Sequence, residues 1–301
     1  MNKHSLNRFI DKYYLGGNCS SVVIKSDGSN LSTRFITGDK NLLGELKMSD
    51  WKFDKAEIGV YNTEQLLKLL SVMSDSISMN LTKAGDKVVS LKVSDSESNV
   101  NYMLSDLSVI NRPPNLKSVP DFEVKIKVDK SFMDKFIAGK AALADTDNFT
   151  VLTSDDGVKV VIGYAEINTN RVTLPVKTES YEVIDNVSFN ANLFKDVLVA
   201  NKECESATLE VSSQGLARIN FKVDEYDATY WLVADTDVLL MGHYHSFSVF
   251  DAGGGRMIAT APSLDSGSQW FDNVHGGNAE SGILTLVLGG KEKWSKINVI
   301  R

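Results

Sequence analysis

Residues 56 to 81, AEIGVYNTEQLLKLLSVMSDSISMNL, carry a pattern that recurs along most of the chain. Ile58 and Val60 alternate with Glu57 and Gly59, as in a strand with one buried face. Asn62 or Thr63 then offers a side-chain oxygen to the first free helical N–H groups. Leu66, Leu67, Leu70 and Met73 follow at helical spacing and define one buried stripe, leaving Glu64, Gln65, Lys68 and Ser71 outward. Ile77, Met79 and Leu81 alternate again, so the stretch predicts strand, helix, strand.

Three echoes follow from the same reasoning. Residues 3 to 14 place Leu6, Phe9, Ile10 and Tyr13 on one stripe, ahead of the strand candidate Ser21 to Lys25. FEVKIKV at 122 to 128 alternates strictly, then Asp129 caps a helix with Phe132, Met133, Phe136 and Ile137 inward. VSF at 187 to 189 precedes Asn190 as cap and the stripe Leu193, Phe194, Val197, Leu198. Four helices are thus expected, starting near residues 3, 62, 129 and 190, and the offsets 129 − 3 = 126 and 190 − 62 = 128 suggest a two-helix domain present twice. The intervening chain, including 87 to 93, 100 to 104, 157 to 167, 207 to 211, 217 to 223 and 228 to 234, reads as antiparallel strands.

VINRPPNLKSVP, residues 109 to 120, holds three of the five prolines and reads as an extended connector. After Asp237 the composition changes, with three of four histidines and ten of 21 glycines in the last 64 residues. The expected division is residues 1–112, a connector at 113–120, a second domain at 121–237, and an extension at 238–301.

Composition narrows the function. At 301 residues with 43% hydrophobic and 24% charged residues, the chain can bury more than one core. A net charge of −7 argues against a generally basic nucleic-acid binder but leaves local charge open. Cys19 and Cys204 are far apart and outside any metal-binding spacing, which fits a reducing compartment. No signal peptide or membrane span is expected, giving a cytoplasmic location and no membrane partner. Neither GxxxxGK[ST] nor GxGxxG occurs, and no cofactor is expected.

Two tandem domains, each with two helices on antiparallel sheets, joined by a proline-rich connector, resemble the DNA sliding clamps, most closely those of T-even-type tailed phages. The resemblance spans about residues 4 to 237. It is carried by AEIGVYNTEQLLKLLSVM, VSLKVSDSESNVNYMLSD, PDFEVKIKVDKSFMDKF and DATYWLVAD in that order, with no catalytic signature. It implies an α+β processivity fold closed into a homotrimeric ring, with helices lining a hole around duplex DNA. It also implies a clamp loader, a tethered replicative DNA polymerase and, for a phage protein, the cytoplasm of an infected host.

A ring that slides needs diffuse attraction to phosphate without base contacts. The four helices and their ends carry nine basic residues against six acidic ones in a chain that is negative as a whole. Lys3, Arg8, Lys68, Lys130, Lys135, Lys140 and Lys195 are the expected pore residues, each weighed against an ordinary solvated charge. Lys12 and Lys202 sit at helix ends, where the helix dipole explains a cation. The resemblance further implies an apolar cleft for partner peptides beside the connector, placed by position at Val109, Ile110, Trp231 and Val233; the alternative is that these are core residues.

The extension contains Gly242-His243-Tyr244-His245 after an apolar strand. It resembles the last metal-binding block of calcineurin-like metallophosphoesterases, in which two metals activate water. That leaves a metal-dependent phosphoesterase as the alternative function. The upstream carboxylate blocks of that family are missing, so His243 and His245 are weak metal candidates and no enzyme activity is expected.

Overall fold

A computed structural model describes the chain except residues 86, 115–117, 166–168, 235–237, 242–247, 254–255, 261–282, 289–293 and 301. It divides into two compact units, Met1–Asp235 and Thr236–Arg301.

The first unit holds four α-helices among its described residues, α1 (Lys3–Tyr14), α2 (Thr63–Ser71), α3 (Lys130–Ala142) and α4 (Ala191–Ala200). Each begins where a side chain can cap it. Asn2 accepts from His4 N, Asn62 from Gln65 N, Asp129 from Phe132 N and Asn190 from Leu193 N. The expected apolar stripes face inward: Leu6, Phe9, Ile10 and Tyr13 on α1, Leu66 and Leu70 on α2, Phe132 and Phe136 on α3, Leu193 and Val197 on α4. The helices neighbour one another in the order α2, α1, α4, α3.

The helices lie on antiparallel sheets. One has nine strands, drawn from β1 (Val22–Ser26), β2 (Leu31–Ile36), β3 (Leu42–Met48), β4 (Ala56–Val60), β8 (Val124–Asp129), β12 (Thr178–Tyr181), β14 (Ser206–Ser212), β15 (Leu216–Val223) and β16 (Tyr226–Val233), in the order β12-β8-β14-β15-β16-β3-β2-β1-β4. The first four strands come from before the connector and the rest from after it, so β16 and β3 form a seam of seven paired residues from Tyr226↔Met48 to Leu232↔Leu42. A three-stranded sheet joins β5 (Ser78–Ala84), β6 (Lys87–Ser94) and β7 (Asn99–Met103). A four-stranded sheet runs β11-β10-β9-β13, from β9 (Asn148–Ser154), β10 (Gly157–Ile162), β11 (Val172–Pro175) and β13 (Val187–Asn190).

The run expected as a strand from 157 to 167 stops at Ile162. Gly163 takes φ +79°, a left-handed conformation that ends the ladder. β2, β3 and β9, which the repeat pattern left unassigned, are regular strands.

Aromatic rings fill the core beneath both groups of helices. Phe136 meets Phe149 at 5.2 Å and Phe194 at 4.9 Å, both edge to face. Phe35 meets Tyr230 across the seam at 6.1 Å. Such geometries add to the area these rings bury.

In the second unit, β17 (Val238–Met241) pairs in parallel with β19 (Arg256–Thr260), which pairs antiparallel with β18 (Ser248–Gly253). β20 (Ile283–Leu288) pairs antiparallel with β21 (Trp294–Ile300). The strands expected around Val238, RMIATA and GILTLVL are present. His243 and His245 lie outside the described residues.

Candidate nucleic-acid interface and connector groove

The helical cations divide into groups that the sequence treats alike. On α3, Lys130 and Lys135 are exposed and make no ion pair among the described residues. They follow from a helix whose stripe of Phe132, Met133 and Phe136 must face the sheets, which turns positions 130 and 135 outward. On α2, exposed Lys68 is held by Glu64 one turn earlier at 2.5 Å, and that hydrogen bond raises the lysine's pKa. Lys195 pairs with Asp196 at 3.1 Å.

Lys3 turns its ammonium onto the Met73 carbonyl, just past the end of α2. Arg8 lies 4.6 Å over the Tyr226 ring and is shared between Glu203 at 3.0 Å and Asp224 at 3.2 Å. Two carboxylates therefore screen its charge from any ligand outside.

Lys140 departs from its expected place. It is 3% exposed, and its ammonium donates to the carbonyls of Leu143 at 3.3 Å and Ala144 at 2.8 Å. The helix ends at Ala142, and both carbonyls lie in the turn just past it, where Leu143 O also accepts from Thr146 N at 3.1 Å, so Lys140 ties that turn back onto the helix.

Lys12 lies in the last turn of α1, as expected, but its ammonium reaches across to the end of α4. Its ammonium, 0% exposed, donates to Ala200 O at 2.8 Å and to Glu203 at 2.5 Å. Burial pushes the Lys12 pKa down, against the hydrogen bond from its ammonium to Glu203. For Glu203 burial acts upward, yet hydrogen bonds from Lys12 and Arg8 help hold its carboxyl below the usual range. Lys202 is exposed.

The connector is tied to the outer face of the nine-stranded sheet at two points. Arg112 pairs with Glu57 on β4 at 2.9 Å, and Arg34 on β2 donates to the Pro114 carbonyl at 3.0 Å. Lys25 holds the other Glu57 oxygen at 2.8 Å, and the hydrogen bonds from Lys25 and Arg112 keep that carboxyl below its ordinary pKa. Between connector and sheet lies a groove of about 910 Å³, with Arg34, Glu45, Lys47, Arg112, Pro114 and Thr229 among its lining.

This groove is charged, whereas the expected cleft was apolar. Strand alternation explains the difference: β2 and β3 turn Leu31, Phe35, Leu42 and Leu46 to the core, so Arg34, Glu45 and Lys47 face outward. The four residues expected in the cleft are not brought together in the groove. Val109 is exposed, Ile110 is buried against Gly59, and Val233 is half exposed. Trp231 is buried on the outer face, in register with Leu43 and Arg218, and its indole N–H has no acceptor among the described residues. The outward alternation of β2 and β3 was the sequence signal for the groove.

Among the described residues no cluster of three His, Cys, Asp or Glu side chains could hold a metal ion. No described helix is long and apolar enough to cross a membrane.

The mixed α+β architecture, with helices laid on antiparallel sheets, is the sliding-clamp fold. Among solved structures, the chain is similar to the crystal structure of proliferating cellular nuclear antigen from Entamoeba histolytica, with a TM-score of 0.60 and 14% sequence identity over 78% of this chain and 97% of that one. No model of a known protein family and no curated protein sequence matches the chain.

Proposed function

We propose that the chain is a DNA polymerase processivity factor of the phage sliding-clamp type. In this reading it encircles duplex DNA without sequence preference as a homotrimer, is placed there by a clamp loader, and tethers a replicative polymerase. The observation that carries the reading is the clamp fold with Lys130 and Lys135 exposed on α3 and free of ion pairs among the described residues. The assigned domains are 1–112 and 121–237, with the connector at 113–120 and an extension at 238–301. The role is binding, not catalysis.

Closing a ring of three copies needs two different edges on each chain that complement one another head to tail. The three-stranded sheet ends on β7, and the four-stranded sheet ends on β11. The other edge strand, β5, follows a segment where Met1 and Ile77 exchange backbone bonds at 2.8 and 2.9 Å, so β7 is the more open edge. We assign β7 of one copy to β11 of the next, since an unpaired strand edge is a template for another chain. The groove under the connector is assigned to partner peptides.

The test is mass in solution together with retention on DNA. A trimeric mass, and retention on circular duplex that is lost when the circle is cut, are expected. A monomer alone at micromolar concentration overturns the reading.

A further inference from the structure

A second cationic site lies beside α3. Lys127 from β8, Lys135 from α3 and Lys177 from the link between β11 and β12 all line one cavity of about 440 Å³. The backbone brings them there: Lys127 N donates to Lys177 O at 2.8 Å, which sets the two lysines on adjacent chains. All three are exposed, and none forms an ion pair among the described residues.

The one carboxylate in the lining is Asp129, whose Oδ1 accepts from Phe132 N at 2.9 Å as the cap of α3. The connector groove differs, since Glu45 and Asp227 balance part of its charge. The cavity on the outer face of β14 and β15, which Lys127 also borders, contains Glu179 and Glu210 beside Lys125 and Lys222. Only the cavity beside α3 combines three cations with a single, already engaged carboxylate among these concavities. Its wall includes Phe132 and Leu174, both 8% exposed, and apolar backing lowers the local dielectric and strengthens attraction for an anion.

We infer that this cavity seats a phosphodiester oxyanion of duplex DNA, with Lys127 and Lys177 extending the contact that Lys135 begins on the helix. The inference rests on the clamp reading and adds two sheet-borne residues to it. Its physical content is that phosphate contact reaches past the helices onto the rim of the sheet, at the side of α3 nearest β11.

The experiment uses the full chain and the double variant Lys127→Ala/Lys177→Ala, both at exposed positions. Duplex binding is followed by fluorescence anisotropy across a salt series. The slope of log affinity against log salt should become shallower by about 1, because one seated phosphate contributes about 0.9. Lys83→Ala/Lys92→Ala, removing the same charge from β5 and β6, should leave the slope unchanged. An unchanged slope in the first variant, or an equal loss in the second, overturns the inference while duplex binding by the native chain keeps the clamp reading alive. No duplex binding by the native chain at any salt overturns both. Two further measurements separate other occupants. If inorganic phosphate saturates the Lys127 and Lys177 ammonium resonances and the salt slope does not move, the site takes free phosphate and the inference fails. If the double variant changes the oligomeric mass, the lysines meet a second copy of the chain and it fails as well.

Discussion

Tyr230 donates its hydroxyl hydrogen to the backbone carbonyl of Lys12 at 2.8 Å, and the same oxygen accepts from Asn201 Nδ2 at 3.0 Å. One buried phenol thus joins the seam strand β16 to the end of α1 and to the residue that closes α4. Replacing it with phenylalanine keeps the ring, removes the donor to the Lys12 carbonyl and takes away one of two acceptors of the Asn201 amide, which still donates to Val197 O at 2.8 Å. Tyr230→Phe should lower stability by about 1–3 kcal/mol. Urea unfolding should show an earlier midpoint with an unchanged slope; an unchanged midpoint would mean that the two groups find other partners.

Lys130 and Lys135 should separate from Lys140 when each is changed. Lys130→Glu/Lys135→Glu should weaken duplex retention and its salt dependence, since it removes exposed cations. Lys140→Met should leave the salt dependence alone and lower stability by about 1 kcal/mol through loss of donors to the carbonyls of Leu143 and Ala144. A shallower salt slope in Lys140→Met would show that its ammonium leaves the helix end in the complex.

Gly44→Ala should be among the most damaging single changes. A methyl group there would lie 2.1 Å from Phe35 Cζ, inside the core of the nine-stranded sheet. Overpacking of this kind typically costs about 1–3 kcal/mol, and a contact this short belongs at the upper end. Thermal unfolding tests it: a melting temperature equal to the native one would require Phe35 to move without loss.

Acid should loosen the contact between α1 and the end of α4. The folded Glu203 carboxyl titrates below its ordinary range, so the stability it contributes is complete above the unfolded carboxylate value of about 4.3. That contribution is lost as pH falls through the folded value. Glu203→Gln should therefore be less stable at neutral pH and show a flatter decline below about pH 4. Unfolding curves that run parallel for both proteins across that range would rule out the linkage.

The four helices were legible because cap and stripe coincide in each. Asn62, Asp129 and Asn190 stand one residue before runs with helical spacing, and local chemistry alone fixes those starts. β2 and β3 were not legible as a pair. Gly44 breaks the apolar alternation of β3, and only the ring of Phe35 filling the missing side chain explains it. The fate of individual cations was hidden for a related reason. Arg8 looks like a pore cation and Lys12 like a helix-end charge until residues 203 and 224, about two hundred positions later, come to meet them. Lys130 and Lys135 could be read outward directly, because no long-range ion-pair partner intervenes among the described residues. The cation cluster of Lys127, Lys135 and Lys177 depends on β8 lying beside the chain at 177, which no local pattern announces.

The seam between β3 and β16 bears on how the protein is made. During synthesis β3 emerges long before its partner, and its inner edge waits through the translation of everything from residue 49 to residue 225. Nascent chain stalled at the connector presents β3 as a bare template for strand exchange with a neighbouring nascent chain. The nine-stranded sheet is finished only when Tyr226 to Leu232 arrive, so the last strand of the first unit is the closing step of its folding.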